Sequence, residues 1–198
     1  MLIENEKFYW LGDKPTEYEL ENVEYINDVE ALPAGMGGMF CVNASEPKQL
    51  EGILKAFYQQ QERWSWAVYT TIETPYSRCV TDGTFDLTTS YKAWQSSRSR
   101  LESVPQVTSL DPLIGWLGIN RNRRLTAMKS LESSSIYTYP LIEAFYPDIY
   151  STYRYVLSEK ARDILESEQL MDRIRVCTHC NSGHLNYVEV CPQCSSID

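Results

Sequence analysis

The sequence predicts an α/β or α+β protein: a small α/β unit over residues 1–87, a connector over 88–110, and a helical platform over 111–198 that carries a zinc ribbon at 176–195. In the first half, short aromatic and β-branched runs flank an amphipathic stretch, which is a strand, helix, strand pattern. Helical periodicity behind a proline start marks the second half. Four of the six cysteines then fall in two Cys-x-x-Cys pairs, the spacing of a tetrahedral thiolate site.

The elements follow in order. Lys7–Leu11 and Val23–Ile26 read as short strands, and the loop Gly35–Gly38 delivers a compact apolar strand, Met39–Val42. Ser45 is the predicted cap of a helix with Pro47 in its first turn, and Leu50, Ile53, Leu54, Phe57 and Tyr58 recur at helical spacing as far as Gln61. Trp66–Ile72 is the next strand, so strand, helix and strand predict a right-handed crossover and a small parallel sheet. Ser77–Val80 reads as one more strand before a turn at Asp82-Gly83. Tyr91, Trp94 and Leu101, set among Ser and Arg, make Thr88–Glu102 either a helix or a part-exposed connector. Asp111 and Pro112 open a helix through Leu113, Ile114, Trp116 and Leu117, and Leu125, Met128 and Leu131 extend it or form a second. Ser133–Tyr139 reads as a loop ahead of Pro140, and Ser151–Leu170 as one long helix or two short ones.

The last cysteines are the strongest chemical signal. Cys177 and Cys180 form one pair, Cys191 and Cys194 the other, with ten residues between. Two thiolates three positions apart share one tight turn, and a hairpin brings the second turn opposite the first. Asn181, Ser182 and Gly183 supply the turn chemistry, and Leu185–Val190 alternates like a short strand. A closed shell of four thiolates leaves no position for water or substrate, so the expectation is one structural zinc per chain. Iron, alone or in an iron-sulfur cluster, would use the same ligands, and disulfides would need an oxidising compartment. His179 and His184 are the only histidines. Either could replace a cysteine as ligand, donate a hydrogen bond to a coordinated sulfur, or lie on the ribbon surface. Cys41 and Cys79 lie among apolar neighbours and read as buried thiols.

With 198 residues, 43% apolar and 12% aromatic, the chain can bury one sizeable core or two small ones. A net charge of -9 and a pI near 4.8 oppose a nonspecific grip on nucleic acid or an anionic membrane. The apolar runs fall far short of the roughly 20 residues of a spanning helix. With no signal-peptide pattern, the expected location is the reducing cytoplasm. No Gly-rich phosphate loop, Gly-x-Ser-x-Gly elbow or His-Glu-x-x-His motif occurs, and both histidines lie in the ribbon, so a noncatalytic module is expected. The acidic run Glu17–Glu30 reads as a solvated face or loop. Arg121, Arg123 and Arg124, beside Trp116, have two readings. They contact phosphates or an acidic partner through bidentate guanidinium bonds, or they form a solvated helix face that offsets nearby acids. Arg173 and Arg175 could join them only if the fold brings the segments together.

Several features from Asp111 onward occur in a recognisable order. They are the apolar helix leading to Arg121, the Tyr137-Thr138-Tyr139-Pro140 segment, and the helical stretch with Leu157 and Leu165. Last comes Cys177-Thr178-His179-Cys180-Asn181-Ser182-Gly183-His184-Leu185-Asn186 with Val190-Cys191-Pro192-Gln193-Cys194. This region resembles the thaumarchaeal output domain family. The resemblance implies a zinc-ribbon signalling module often attached to receiver or nucleotide-cyclase domains, with the four cysteines as metal ligands and no catalytic residue.

That context invites comparison of the first half with a response-regulator receiver, in which the third strand ends at the phosphate-accepting aspartate. Here Met39–Val42 ends at Asn43, whose amide cannot form an acyl phosphate. The unit reads as a degenerate, receiver-like domain or as an unrelated small α/β domain. Two functions remain. One is a noncatalytic regulatory module that engages a protein partner; the other is a nucleic-acid reader with a winged-helix-like arrangement between Pro140 and Arg175.

Overall fold

The computed structural model describes residues 7–15, 22–105, 110–133, 136–173, 175, 177–179 and 183. It divides into two units, Met1–Met128 with Tyr139–Ile149, and Lys129–Thr138 with Tyr150–Asp198. The segment expected to be a connector and the first helix of the expected platform therefore pack within the first unit.

In the first unit, β1 (Phe8–Leu11), β2 (Val23–Ile26), β3 (Met39–Val42) and β4 (Ala67–Thr70) form a parallel sheet in the order β2-β1-β3-β4. Helix α1 (Pro47–Tyr58) makes the β3-to-β4 crossover that the sequence predicts. The order is that of the first four strands of flavodoxin-like doubly wound sheets. Side chains alternate between faces. Phe8, Trp10, Met39, Cys41, Ala67 and Tyr69 pack on one side with Trp94 of α3 (Leu87–Ser103). On the other, Phe40 stacks on Phe57 of α1 with ring centroids 5.1 Å apart. Covering both faces is what lets β1, β3 and β4 be buried at every position. Trp94 Nε1 donates to the Gly37 carbonyl at 2.8 Å, tying α3 to the loop ahead of β3.

Several local expectations are corrected. The cap of α1 is Glu46 rather than Ser45, without a side-chain capping bond. Ser77–Val80 is a short helix, α2, not a strand. Its cause is reciprocal: the Ser77 N–H donates to Thr74 Oγ1 at 3.0 Å and the Thr74 N–H to Ser77 Oγ at 2.8 Å, a capping box that closes a helical turn over the β-prone residues. The Thr88–Glu102 stretch takes the helical alternative, because Asp86 accepts from the Thr89 N–H at 2.8 Å and caps α3.

Helix α4 (Pro112–Ile119) starts as predicted, with Asp111 Oδ1 accepting from the Leu113 and Ile114 N–H groups at 3.1 Å each. It runs against the 3-10 turn Gln61–Ser65 through Gly115, where an added Cβ would lie 2.6 Å from the Trp64 ring. Gly115→Ala is therefore expected to lower stability by about 1–3 kcal/mol, the range for overpacking a rigid contact. Denaturant unfolding reads this directly, and an unchanged midpoint would mean that the helix can shift without cost. Helix α5 (Pro140–Phe145) buries Leu141, Ile142 and Phe145, with Phe145 edge-on to Tyr58 at 5.0 Å.

Cys41 and Cys79 are buried, as expected. Desolvation pushes both thiols up, Cys79 to about 11. Native protein treated with a thiol reagent at pH 8 is expected to leave both unmodified and to react at both once unfolded. Because folding raises the Cys79 value from 9.0 to about 11, its contribution to stability is full below pH 9 and is lost as pH rises through 11.

In the second unit, β5 (Met128–Lys129) and β6 (Tyr137–Thr138) pair in a two-stranded sheet, so Leu125, Met128 and Leu131 do not form the helix expected of them. Helix α6 (Thr152–Ala161) starts at Ser151, whose hydroxyl accepts from the Arg154 N–H. It stops well short of Leu170. Asp163 adopts φ 57 and the Ile164 N–H returns to the Glu159 carbonyl at 3.0 Å, a left-handed termination of the Schellman type. Among the described residues, no helix is long and apolar enough to cross a membrane.

Candidate functional site

The edge of β4 is where a sheet of this order would add a fifth strand. The segment Asp82–Phe85 occupies it instead. The Asp82 N–H donates to the Val68 carbonyl at 2.7 Å, the Thr70 N–H to Gly83 at 3.1 Å, and the Phe85 N–H to Thr70 at 2.8 Å. Asp82 Oδ2 accepts from the Val68 N–H at 2.9 Å, so a carboxylate stands in for a strand carbonyl. Gly83 makes the bend possible with φ 119.

Arg123, in the turn after α4, closes this edge. Its Nε donates to Asp82 Oδ1 at 2.8 Å, and Nη2 donates to Asp82 Oδ2 at 2.6 Å and to the Trp66 carbonyl at 2.7 Å. Nη1 donates to the carbonyls of Trp116 at 3.1 Å and Trp64 at 3.4 Å. All five guanidinium N–H groups are thereby used. Asn120 Nδ2 adds a further bond to Asp82 Oδ1 at 2.9 Å, and both charged side chains are 2% exposed. The guanidinium also lies 4.4 Å from the centroid of the Trp116 ring. Burial pulls the Arg123 pKa down, but the charge and hydrogen bonds of Asp82 more than reverse this and leave it raised.

The basic run predicted from sequence is thus divided. Arg123 is neither a partner contact nor part of a solvated helix face; it is a buried structural cation. Arg121 and Arg124 are exposed, and they lie in a turn and coil rather than on a helix. Arg124 Nη1 donates to the Arg121 carbonyl at 2.6 Å and the Arg123 carbonyl at 2.9 Å. Arg173 and Arg175 are exposed in the second unit. Asp82 escaped the sequence reading as a site residue because its partner is 41 positions away. Over the buried pair opens a pocket of about 190 Å³, walled by Arg78, Thr81, Asn122, Arg124 and Thr126.

A second polar cluster sits at the carboxyl ends of the strands. Asn43 follows β3, as the sequence indicates; its Nδ2 donates to the Asp13 carbonyl and its Oδ1 accepts from Thr71 Oγ1, both at 2.8 Å. Its N–H donates to Leu11, also at 2.8 Å. The amide is spent on joining the loops after β1 and β4. Gly12 is needed for this approach: it has φ 102, and a Cβ there would stand 2.1 Å from the Asn43 carbonyl oxygen.

Of the six residues predicted in and around the metal site, Cys177 and His179 are described, the first half-buried and the second exposed. Cys180, His184, Cys191 and Cys194 lie outside the described residues, among which no group of three or more ligating side chains occurs. The segment ahead of Cys177 is held by β6: Tyr137 donates its hydroxyl proton to Asp172 Oδ2 at 2.8 Å, five positions before that cysteine. That bond raises the Tyr137 pKa and lowers that of Asp172.

Residues 102–198 match the family described as thaumarchaeal output domain 1. This half of the chain is a thaumarchaeal output domain. The family description points to an output role. No curated protein and no solved structure gives a significant match. The output domain begins near the end of α3 and includes α4, Arg123 and α5. It therefore supplies part of the first unit, including the guanidinium that Asp82 holds.

Proposed function

We propose that the chain is a noncatalytic signalling module whose output domain holds one structural zinc on Cys177, Cys180, Cys191 and Cys194 and engages a protein partner. The observation that carries this reading is the output-domain match, which spans both cysteine pairs. The donor set fits the metal: four thiolates saturate a tetrahedral ion, which when bound supplies folding energy and no open coordination position. Metal analysis is expected to give about one zinc per chain in a colourless protein, with loss of the metal in Cys177→Ser. Visible absorbance would assign iron instead. A partner recovered with the wild type should be lost with Cys177→Ser and Cys191→Ser, and a partner indifferent to both would remove the ribbon from the interface.

The nucleic-acid reading is weakened by the burial of Arg123, which leaves Arg121 and Arg124 as the exposed part of the run. Two guanidiniums on a chain of net charge -9 make a poor footprint. No mobility shift of DNA or RNA is expected at low salt; a salt-sensitive shift abolished by Arg121→Gln with Arg124→Gln would reinstate that reading.

A further inference from the structure

The pocket over the Arg123–Asp82 pair has a chemistry that the output role does not use. Its lining holds three guanidiniums, Arg78, Arg123 and Arg124, and a single carboxylate, Asp82, in a chain of net charge -9. Arg123 and Asp82 satisfy one another in the floor, while Arg124 and the Glu73-paired Arg78 stand at the rim. Arg78 Nε bonds Glu73, which leaves both of its terminal NH2 groups without a partner among the described residues. The Asn122 side-chain amide and the Thr126 hydroxyl, also in the lining, likewise make no hydrogen bond among the described residues. The terminal NH2 groups of Arg78, the Asn122 amide and the Thr126 hydroxyl thus approach one concavity from α2 and from the segment after α4.

We propose that this pocket binds a tetrahedral oxyanion, either inorganic phosphate or the phosphoryl group of a small phosphomonoester. Guanidinium forks match phosphoryl oxygens, and donors arriving from separate elements can each take a different oxygen, which a planar carboxylate cannot offer. The volume of about 190 Å³ admits a phosphoryl group with a few waters. It is below the roughly 300 Å³ at which whole small-molecule sites begin, so the anion is the part enclosed. A bound anion would bridge α2, in the sheet-bearing half, to Asn122 and Arg124 of the output domain. The signalling module would then have a small-molecule input beside its clamp.

The test is titration calorimetry of the full chain with inorganic phosphate, methyl phosphate and acetate, at matched ionic strength in chloride. Phosphate is expected to bind at one site, and Arg78→Gln and the pair Asn122→Ala with Arg124→Gln are each expected to weaken it roughly tenfold or more. Arg121→Gln is the control: it removes the same charge next door, outside the lining, and should change affinity less than about twofold. All four replaced side chains are exposed, and an unchanged unfolding midpoint confirms that the variants fold. Methyl phosphate binding more tightly than phosphate would identify an ester as the ligand; equal binding would place recognition on the phosphoryl group alone. Acetate binding as well as phosphate, no phosphate binding up to about 20 mM, or an equal loss in Arg121→Gln would each overturn the proposal.

Discussion

Asp82→Ala is expected to destabilise the protein by about 3–5 kcal/mol, the range for removing one partner of a buried ion pair. The replacement strands a guanidinium that is almost wholly buried, removes its two carboxylate contacts, and leaves the Val68 N–H and the Asn120 amide without their acceptor. Arg123→Met is the mirror image: it leaves the carboxylate buried and takes the donors from the carbonyls of Trp64, Trp66 and Trp116. The double replacement Asp82→Leu with Arg123→Met should be much less than additive, because an apolar pair of similar volume can substitute for a buried ion pair. It should still fall about 1–3 kcal/mol short of wild type, since those backbone groups lose their partners. Arg123→Lys should land between, as an ammonium keeps the charge but not the planar fork. Denaturant unfolding of the four variants measures all of this, and a loss under about 1 kcal/mol in Asp82→Ala would show the pair to be solvated in solution.

Such an effect could not be anticipated from local sequence, and the reason is physical. The strands were legible because each is a short apolar or aromatic run bounded by turn residues, and Val23–Ile26 and Met39–Val42 have the limits that the pattern predicts. The parallel pairing of β3 with β4 followed from the intervening α1. Ser77–Val80 misled because Cys and Val favour strands while the deciding interaction, the exchange between Thr74 and Ser77, lies partly outside the segment. Arg123 misled for a larger reason: three nearby arginines look alike until the fold brings Asp82 to one of them. The output domain was recognised from its cysteine pairs and the residues between them, yet what it contributes to the core of the first unit is α4, α5 and a single guanidinium.

That division of labour sets the second large expectation, for a chain cut at the family boundary. A fragment of residues 1–101 keeps the sheet, α1, α2 and most of α3 but lacks α4 and α5. Those helices bury Leu113, Trp116, Ile119, Leu141, Ile142 and Phe145. At roughly 1.5–3 kcal/mol for each fully buried side chain, their removal forfeits on the order of 10 kcal/mol. A typical domain has about 5–15 kcal/mol in total. The cut also leaves Asp82 without Arg123, adding the penalty of an uncompensated buried carboxylate. Residues 1–101 are therefore expected to lack a cooperative unfolding transition and near-ultraviolet circular dichroism, while residues 1–149, which restore both helices, should show both. Cooperative unfolding of 1–101 with a native aromatic signal would mean that the sheet stands alone and that α4 and α5 are accessories. The expected result carries a consequence for signalling. If the sheet cannot hold its fold without the output domain, then a perturbation at the β4 edge reaches that domain through Arg123 itself.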